Sequence, residues 1–272
     1  MNSNTNIFIV FSVYAVVAEW QTRCLQAAVI FRLCGFNSHQ PHHFFIMDEA
    51  LIETFKQWNI TAILPLQVGD FQLWKEYRMV QENGSDREYL LFAYRNQQND
   101  WSVRVIFNPE SEEFSVRTDI GMLEFALIEF ITSDFAMFRA MVEERLPRII
   151  RDYYVERSRN FSVMLKQKGI PDVRWDDFLP EEYKGFRCLI RPHEAVRIIN
   201  GSYMILSYYQ KESKSGLSVM YNLLRDDFFA ERRIHNFPNL VHDFDGSSLD
   251  GLKHSLQQRL LPVLDRISDD IS

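Results

Sequence analysis

Two stretches of this chain read alike at one constant spacing. Tyr89–Ile150 lies over Tyr203–Leu264 at an offset of 114 residues, with no gap. The identical pairs are Tyr89/Tyr203, Tyr94/Tyr208, Val105/Val219, Asn108/Asn222, Phe114/Phe228, Ile120/Ile234, Phe130/Phe244, Ser133/Ser247, Arg145/Arg259 and Leu146/Leu260. So few identities carry little alone. The chemical class also agrees at Phe107/Tyr221, Glu113/Asp227, Glu129/Asp243 and Arg139/Lys253. Upstream, Phe55-Lys-Gln-Trp-Asn-Ile60 resembles Leu165-Lys-Gln-Lys-Gly-Ile170 at an offset of 110. A repeat of this length restricts the chain to folds that can be built twice from one unit.

Each unit opens with a short amphipathic helix, in the first copy with Leu51, Phe55 and Trp58 on one stripe. Alternating strands follow at Tyr89–Tyr94, Ser102–Phe107, Glu113–Thr118 and Leu123–Ile131. Asn108-Pro-Glu-Ser111 supplies a turn; its partner Asn222-Leu-Leu-Arg225 is poorer turn chemistry. A closing helix starts at an N-cap, Ser133 in the first copy and Ser247 or Ser248 in the second. Its apolar stripe is Phe135, Phe138, Met141, Val142, Leu146 and Ile149, then Leu249, Leu252, Leu256, Leu260 and Leu264. Pro147 and Pro262 fall inside these helices and should kink or break them. The expected fold is α+β: two tandem repeats, residues 47–156 and 157–272, each an antiparallel meander of about four strands flanked by helices, related by a pseudo-twofold axis. The join is expected in the loop-like stretch Tyr154–Phe186.

Residues 1–46 differ in kind. They contain no Lys or Asp, one Glu (Glu19), two Arg (Arg23, Arg32) and two of the three Cys (Cys24, Cys34). Ile7–Ala18 is apolar but lacks the basic flank of a secretory signal and stops short of a membrane span. Ala15–Arg23 and Cys34–His43 back-translate as the two ends of a bacterial leucine transfer RNA gene. Paired T-stem and acceptor-stem halves and a terminal CCA enclose about 86 nucleotides. The segment therefore reads as an over-extended gene start, with Met47 as the expected first residue, and the cluster His39, His42, His43 goes with it.

The whole chain carries 30 Lys+Arg against 37 Asp+Glu, a net charge of −7. Two basic residues and one acidic residue precede Met47, which leaves 28 against 36 in the body. That balance lacks the basic footprint of a nucleic-acid or anionic-membrane binder. One cysteine, Cys188, remains in the body, as expected for a reducing, cytoplasmic setting.

Chemistry-bearing candidates are few. His235-x6-His242-Asp-Phe-Asp245 is the most ligand-like set, since metals take His and carboxylate together. On a strand Asp243 and Asp245 share a face and His242 points away, so a solvated strand edge is the plainer reading. The copy-one equivalents are Gly121, Ile128, Glu129 and Ile131, so such a site would belong to the second copy alone. Asp172, Asp176, Asp177, Glu181 and Glu182 surround Trp175 without calcium-loop spacing. Arg191-Pro-His193-Glu194 could orient a base, and Cys188 lies in an apolar alternation with no local base. Tyr203, Tyr208, Tyr209, Phe228 and Phe229 could form an exposed aromatic binding face, or equally an aromatic core. No Gly-rich phosphate loop or nucleophile elbow occurs.

The sequence thus leads to a protein-interaction or adaptor module that binds another protein and needs no cofactor. The alternatives are a metal-dependent hydrolase on His235, His242, Asp243 and Asp245, and a small-ligand sensor with its pocket between the repeats.

Overall fold

Period-two alternation in the middle of each half produces strands, and these assemble into two separate antiparallel sheets of six and seven strands. The computed structural model describes residues 49–81, 87–198 and 201–272. The proposed transfer-RNA-derived segment, Met47 and the three early histidines lie outside the described residues.

The first half starts with helices α1 (Glu49–Gln57) and α2 (Ile60–Ile63). Strands β1 (Gln67–Val68), β2 (Phe71–Gln81), β3 (Arg87–Asn96), β4 (Ser102–Asn108), β5 (Glu113–Asp119) and β6 (Glu124–Ala126) follow, in spatial order β1-β2-β3-β4-β5-β6. In β5 Phe114, Val116 and Thr118 turn inward while Glu113, Ser115 and Arg117 point the other way. Helix α3 (Phe135–Ile150) lays Phe138, Val142, Leu146 and Ile150 against the sheet, a spacing of four that keeps all of them on one stripe. Fully burying each such side chain is worth roughly 1.5–3 kcal/mol. Phe55 of α1 completes this core against the rings of Tyr89, Phe107, Phe114 and Phe135.

The second half contains helix α4 (Val163–Gln167) and strands β7 (Glu182–Tyr183), β8 (Phe186–Ile190), β9 (Val196–Arg197), β10 (Ser202–Gln210), β11 (Ser215–Asn222), β12 (Asp227–Ile234) and β13 (Phe237–Gly246). Their order is β13-β12-β11-β10-β8-β7, with β9 also on β10. Helix α5 (Leu249–Asp270) covers one face with Leu252, Leu256, Leu260, Val263, Leu264 and Ile267.

Strand register runs alike in the two sheets. Tyr89 faces Phe107 and Phe107 faces Phe114; Tyr203 faces Tyr221 and Tyr221 faces Phe228. The β3–β4 ladder slips between Leu90 and Phe92, the β10–β11 ladder between Met204 and Leu206. Tyr94 Oη donates to Pro65 O at 2.7 Å, and Tyr208 Oη to Pro180 O at 2.6 Å. Asn108 Oδ1 accepts from the backbone of Glu110 and Ser111, and Asn222 Oδ1 from that of Leu224 and Arg225. The second turn therefore closes like the first despite its poorer composition, because the Asn side chain supplies the acceptor.

Several expectations need correction. Each sheet has more strands than the four expected. The residues 123–131 form only the short β6 and a 3-10 turn at Ile128–Phe130. Asp134, not Ser133, caps α3, accepting from Met137 N; Ser248 caps α5 through Gly251 N. Both closing helices run through their proline, and a π-helical turn at Arg151–Val155 follows α3. The join expected as loop holds α4 and β7.

Contact between the halves is one-sided. Met204 and Met220, on the face of the second sheet away from α5, belong to the core of the first half with Ile120, Met122, Phe125 and Leu127. The positions 114 residues after this segment include Phe237 and Leu240, which are 74% and 69% exposed. A twofold pairing requires the same contact in both directions, so the expected pseudo-twofold arrangement does not hold.

Candidate interaction surface

The ligand-like histidine set is dispersed by the strand that carries it. His235 and Asn236 form the two-residue turn between β12 and β13, both with positive φ (49° and 69°). This is the backbone that tight hairpins favour. His235 Nδ1 lies 3.1 Å from Ser213 O, facing the β10–β11 turn. At the other end of β13 the ladder slips between Phe228 and Ala230, and the extra residues place His242 Nδ1 2.6 Å from Asp245 Oδ2. Asp243 is held instead by Arg266 at 2.8 Å. The structure thus brings together His242 and Asp245, and neither His235 nor Asp243 joins them. Among the described residues no group of three metal-ligating side chains converges.

The aromatic candidates are core. Tyr203, Tyr208 and Phe228 are buried beneath α5, with the Tyr203 hydroxyl accepting from Ser162 N and the Tyr208 hydroxyl spent on Pro180 O. Tyr209 and Phe229 turn to the opposite face and pack against the first half. The exposed aromatic face is therefore corrected to a doubly covered sheet. Cys188 is half-buried on β8, its Sγ 3.6 Å from Ile190 O, and burial pushes its pKa up. In the acidic connector Asp176 pairs with Arg191 and Asp177 with Arg174, and beyond it Glu194 pairs with Arg157.

Two features that residue types did not announce stand out. The first is the β12–β13 hairpin. Among the described residues β13 is the terminal strand of its sheet, and it exposes Phe237, Pro238, Asn239 and Leu240 in succession. An edge strand with apolar side chains and an unpaired outer backbone is a ready template for another chain. The signal in the sequence is the His235-Asn236 turn beside apolar residues, which periodicity alone cannot place at an edge.

The second is a cavity of about 520 Å³ on the face of the first sheet away from α3. Leu90 forms part of its lining, with Arg95, Trp101, Ser102 and Arg104 around it. Arg95 and Arg78 share the Glu76 carboxylate at 2.7 and 2.8 Å, and Arg104 pairs with Glu124 at 2.5 Å. Trp101 is 1% exposed, and its Nε1 has no acceptor among the described residues; Arg95 Nε has none either. Arg157 stacks on the Trp101 ring at 5.1 Å. The lining mixes these donors with the acceptors Asp100 and Asp119, and its arginines are already paired with Glu76 and Glu124.

No described helix is long and apolar enough to cross a membrane. Comparison with known family models, with curated proteins and with solved structures gives no match for this chain.

Proposed function

We propose that the chain consists of two fused copies of one α+β unit and works as a non-catalytic protein-interaction module, presenting its β12–β13 hairpin to another protein. The offset of 114 relates Tyr89–Phe107–Phe114 to Tyr203–Tyr221–Phe228 in register, and relates the two ladder slips and the two Asn-closed turns. The single observation that carries the functional reading is the exposure of Phe237 and Leu240 on the free edge of the second sheet. The positions 114 residues earlier, Leu123 and Ala126, are half-buried in the first half, so the exposure of Phe237 and Leu240 is particular to the second half.

The test is co-purification from native lysate with the full chain as bait, beside the Phe237→Ser/Leu240→Ser variant. Both side chains are solvent-facing, so the variant should melt with the parent, within about 0.5 kcal/mol. A stoichiometric partner held by the parent and lost by the variant supports the reading. Equal capture by both overturns it.

A further inference from the structure

We propose that a cavity beside α4 in the second half binds a small zwitterion with an aliphatic body, of the size of leucine. The site stands apart from the β12–β13 hairpin and rests on neither the repeat nor the interaction reading.

The local sequence builds this cavity from three tight turns around one short helix. Ser162 caps α4, accepting from Leu165 N, and Gly169 follows its end with a left-handed φ of 77°, which glycine adopts without strain. The chain then turns back through a 3-10 turn at Ile170–Asp172, which packs on another at Pro192–Glu194. A third, Arg157–Asn160, also meets the Pro192–Glu194 turn. The cavity among them measures about 410 Å³ and is lined by Ser158, Phe161, Lys166, Pro171, Asp172 and His193. That volume lies in the range that small-molecule sites occupy.

Four of these six side chains carry chemistry that the fold does not use. Among the described residues, the side chains of Ser158, Lys166, Asp172 and His193 make no hydrogen bond and no ion pair. Charges close by are paired: Arg157 with Glu194, Lys168 with Asp226 and Arg191 with Asp176. Lys166 and Asp172 are opposite charges lining one cavity, yet they do not meet. A molecule carrying both charges would bridge them. Its carboxylate would take the Lys166 ammonium, with the Ser158 hydroxyl and the His193 ring N–H as further donors, and its ammonium would take Asp172. Phe161, 7% exposed, and Pro171 supply an apolar wall for the body of the ligand. Lys166 and Asp172 are exposed, so the ligand enters from solvent with the fold intact.

The test is a titration of L-leucine into the full chain, followed by NMR through the His193 ring signals, which His193→Gln assigns. Isocaproate and isoamylamine, leucine without its ammonium and without its carboxylate, are titrated beside it. Leucine should shift the signals saturably, with a Kd of about 1 mM or below. Each analogue should bind at least about tenfold more weakly, because one charged side chain is left unanswered. Lys166→Met and Asp172→Asn alter exposed positions and should melt with the parent. Lys166→Met should lose leucine, whereas Asp172→Asn should lose leucine and keep isocaproate. The absence of a saturable shift from leucine overturns the proposal. Equal binding of leucine and isocaproate also overturns it, since a plain anion site would then remain. Leucine binding unchanged in both variants does the same, because the ligand would then lie elsewhere.

Discussion

Met122 of the first half rests on Gly216 of the second, and the absence of a side chain at Gly216 is what lets it do so. A Cβ at Gly216 would lie 2.8 Å from Met122 Sδ and only 2.1 Å from Tyr208 O. The thioether can move, but the carbonyl belongs to the central ladder of the sheet and cannot. Gly216→Ala should therefore destabilise the chain by about 1–3 kcal/mol, as overpacking of a tight interior does. Thermal or urea unfolding measures it, and an unchanged midpoint would contradict the packing described between the halves.

Tyr94 and Tyr208 occupy matching places, each fully buried with its hydroxyl donated to a proline carbonyl. Burial pushes both phenol pKa values up, so the two donors stay protonated over the whole physiological range. Removing either hydroxyl leaves the Pro65 or Pro180 carbonyl short of a partner. Tyr94→Phe and Tyr208→Phe should each cost about 1–2 kcal/mol. Since they sit in separate sheets, the double variant should show close to additive loss in urea unfolding. A large loss at one site and none at the other would argue against equivalent roles.

How far the sequence carries the fold depends on what interrupts its periodicity. β4 and β5 alternate or run apolar, and their positions follow from the pattern; β10 and β12 follow from the 114-residue offset rather than from an unbroken pattern of their own. β2 does not, because its ladder slips between Lys75 and Arg78 and Tyr77 adopts a φ of 44°, so the period of two changes phase inside the strand. β8 is five residues long, too short for periodicity to separate it from a connector. In Leu123–Ile131 an almost unbroken apolar run imitates a buried strand, but only Glu124–Ala126 is strand and Ile128–Phe130 is a 3-10 turn. The candidate surface was less legible still. Tyr203 and Tyr209 look alike as residues, and only the sheet decides that one lies under α5 and the other under the first half. Exposure of Phe237 follows from which strand ends the sheet, a non-local fact.

That displaced phase in β2 has an electrostatic consequence. It sets Glu76 between Arg78 and Arg95, at 2.8 and 2.7 Å. Burial pulls its carboxyl upward, but the hydrogen bonds and charges of the two arginines outweigh it and hold the pKa below the ordinary 4.5. A carboxylate whose pKa is lowered by folding contributes stability above its unfolded pKa and loses it as pH falls through the folded value. The parent should therefore lose thermal stability between about pH 5 and about pH 3 more steeply than Glu76→Gln, which has no proton to take up there. Melting temperatures of the two across that range decide it; parallel curves would mean the arginines do not hold Glu76 in its charged form.

Cys188 offers the opposite sign. Desolvation on β8 raises its pKa and outweighs the opposite pull of Arg191 and the Tyr208 hydroxyl, so the thiol stays protonated near neutrality. A nucleophilic cysteine needs the reverse, a thiolate stabilised by a neighbouring cation or base. In the native chain the peptide carrying Cys188 should alkylate at least about tenfold more slowly than in urea-unfolded chain at pH 7, read peptide by peptide in a mass spectrometer. Reaction at the unfolded rate would reveal an exposed, ionised sulfur and return Cys188 to consideration as a catalytic group. Slow reaction leaves it as half-buried packing on the strand that pairs with Tyr208.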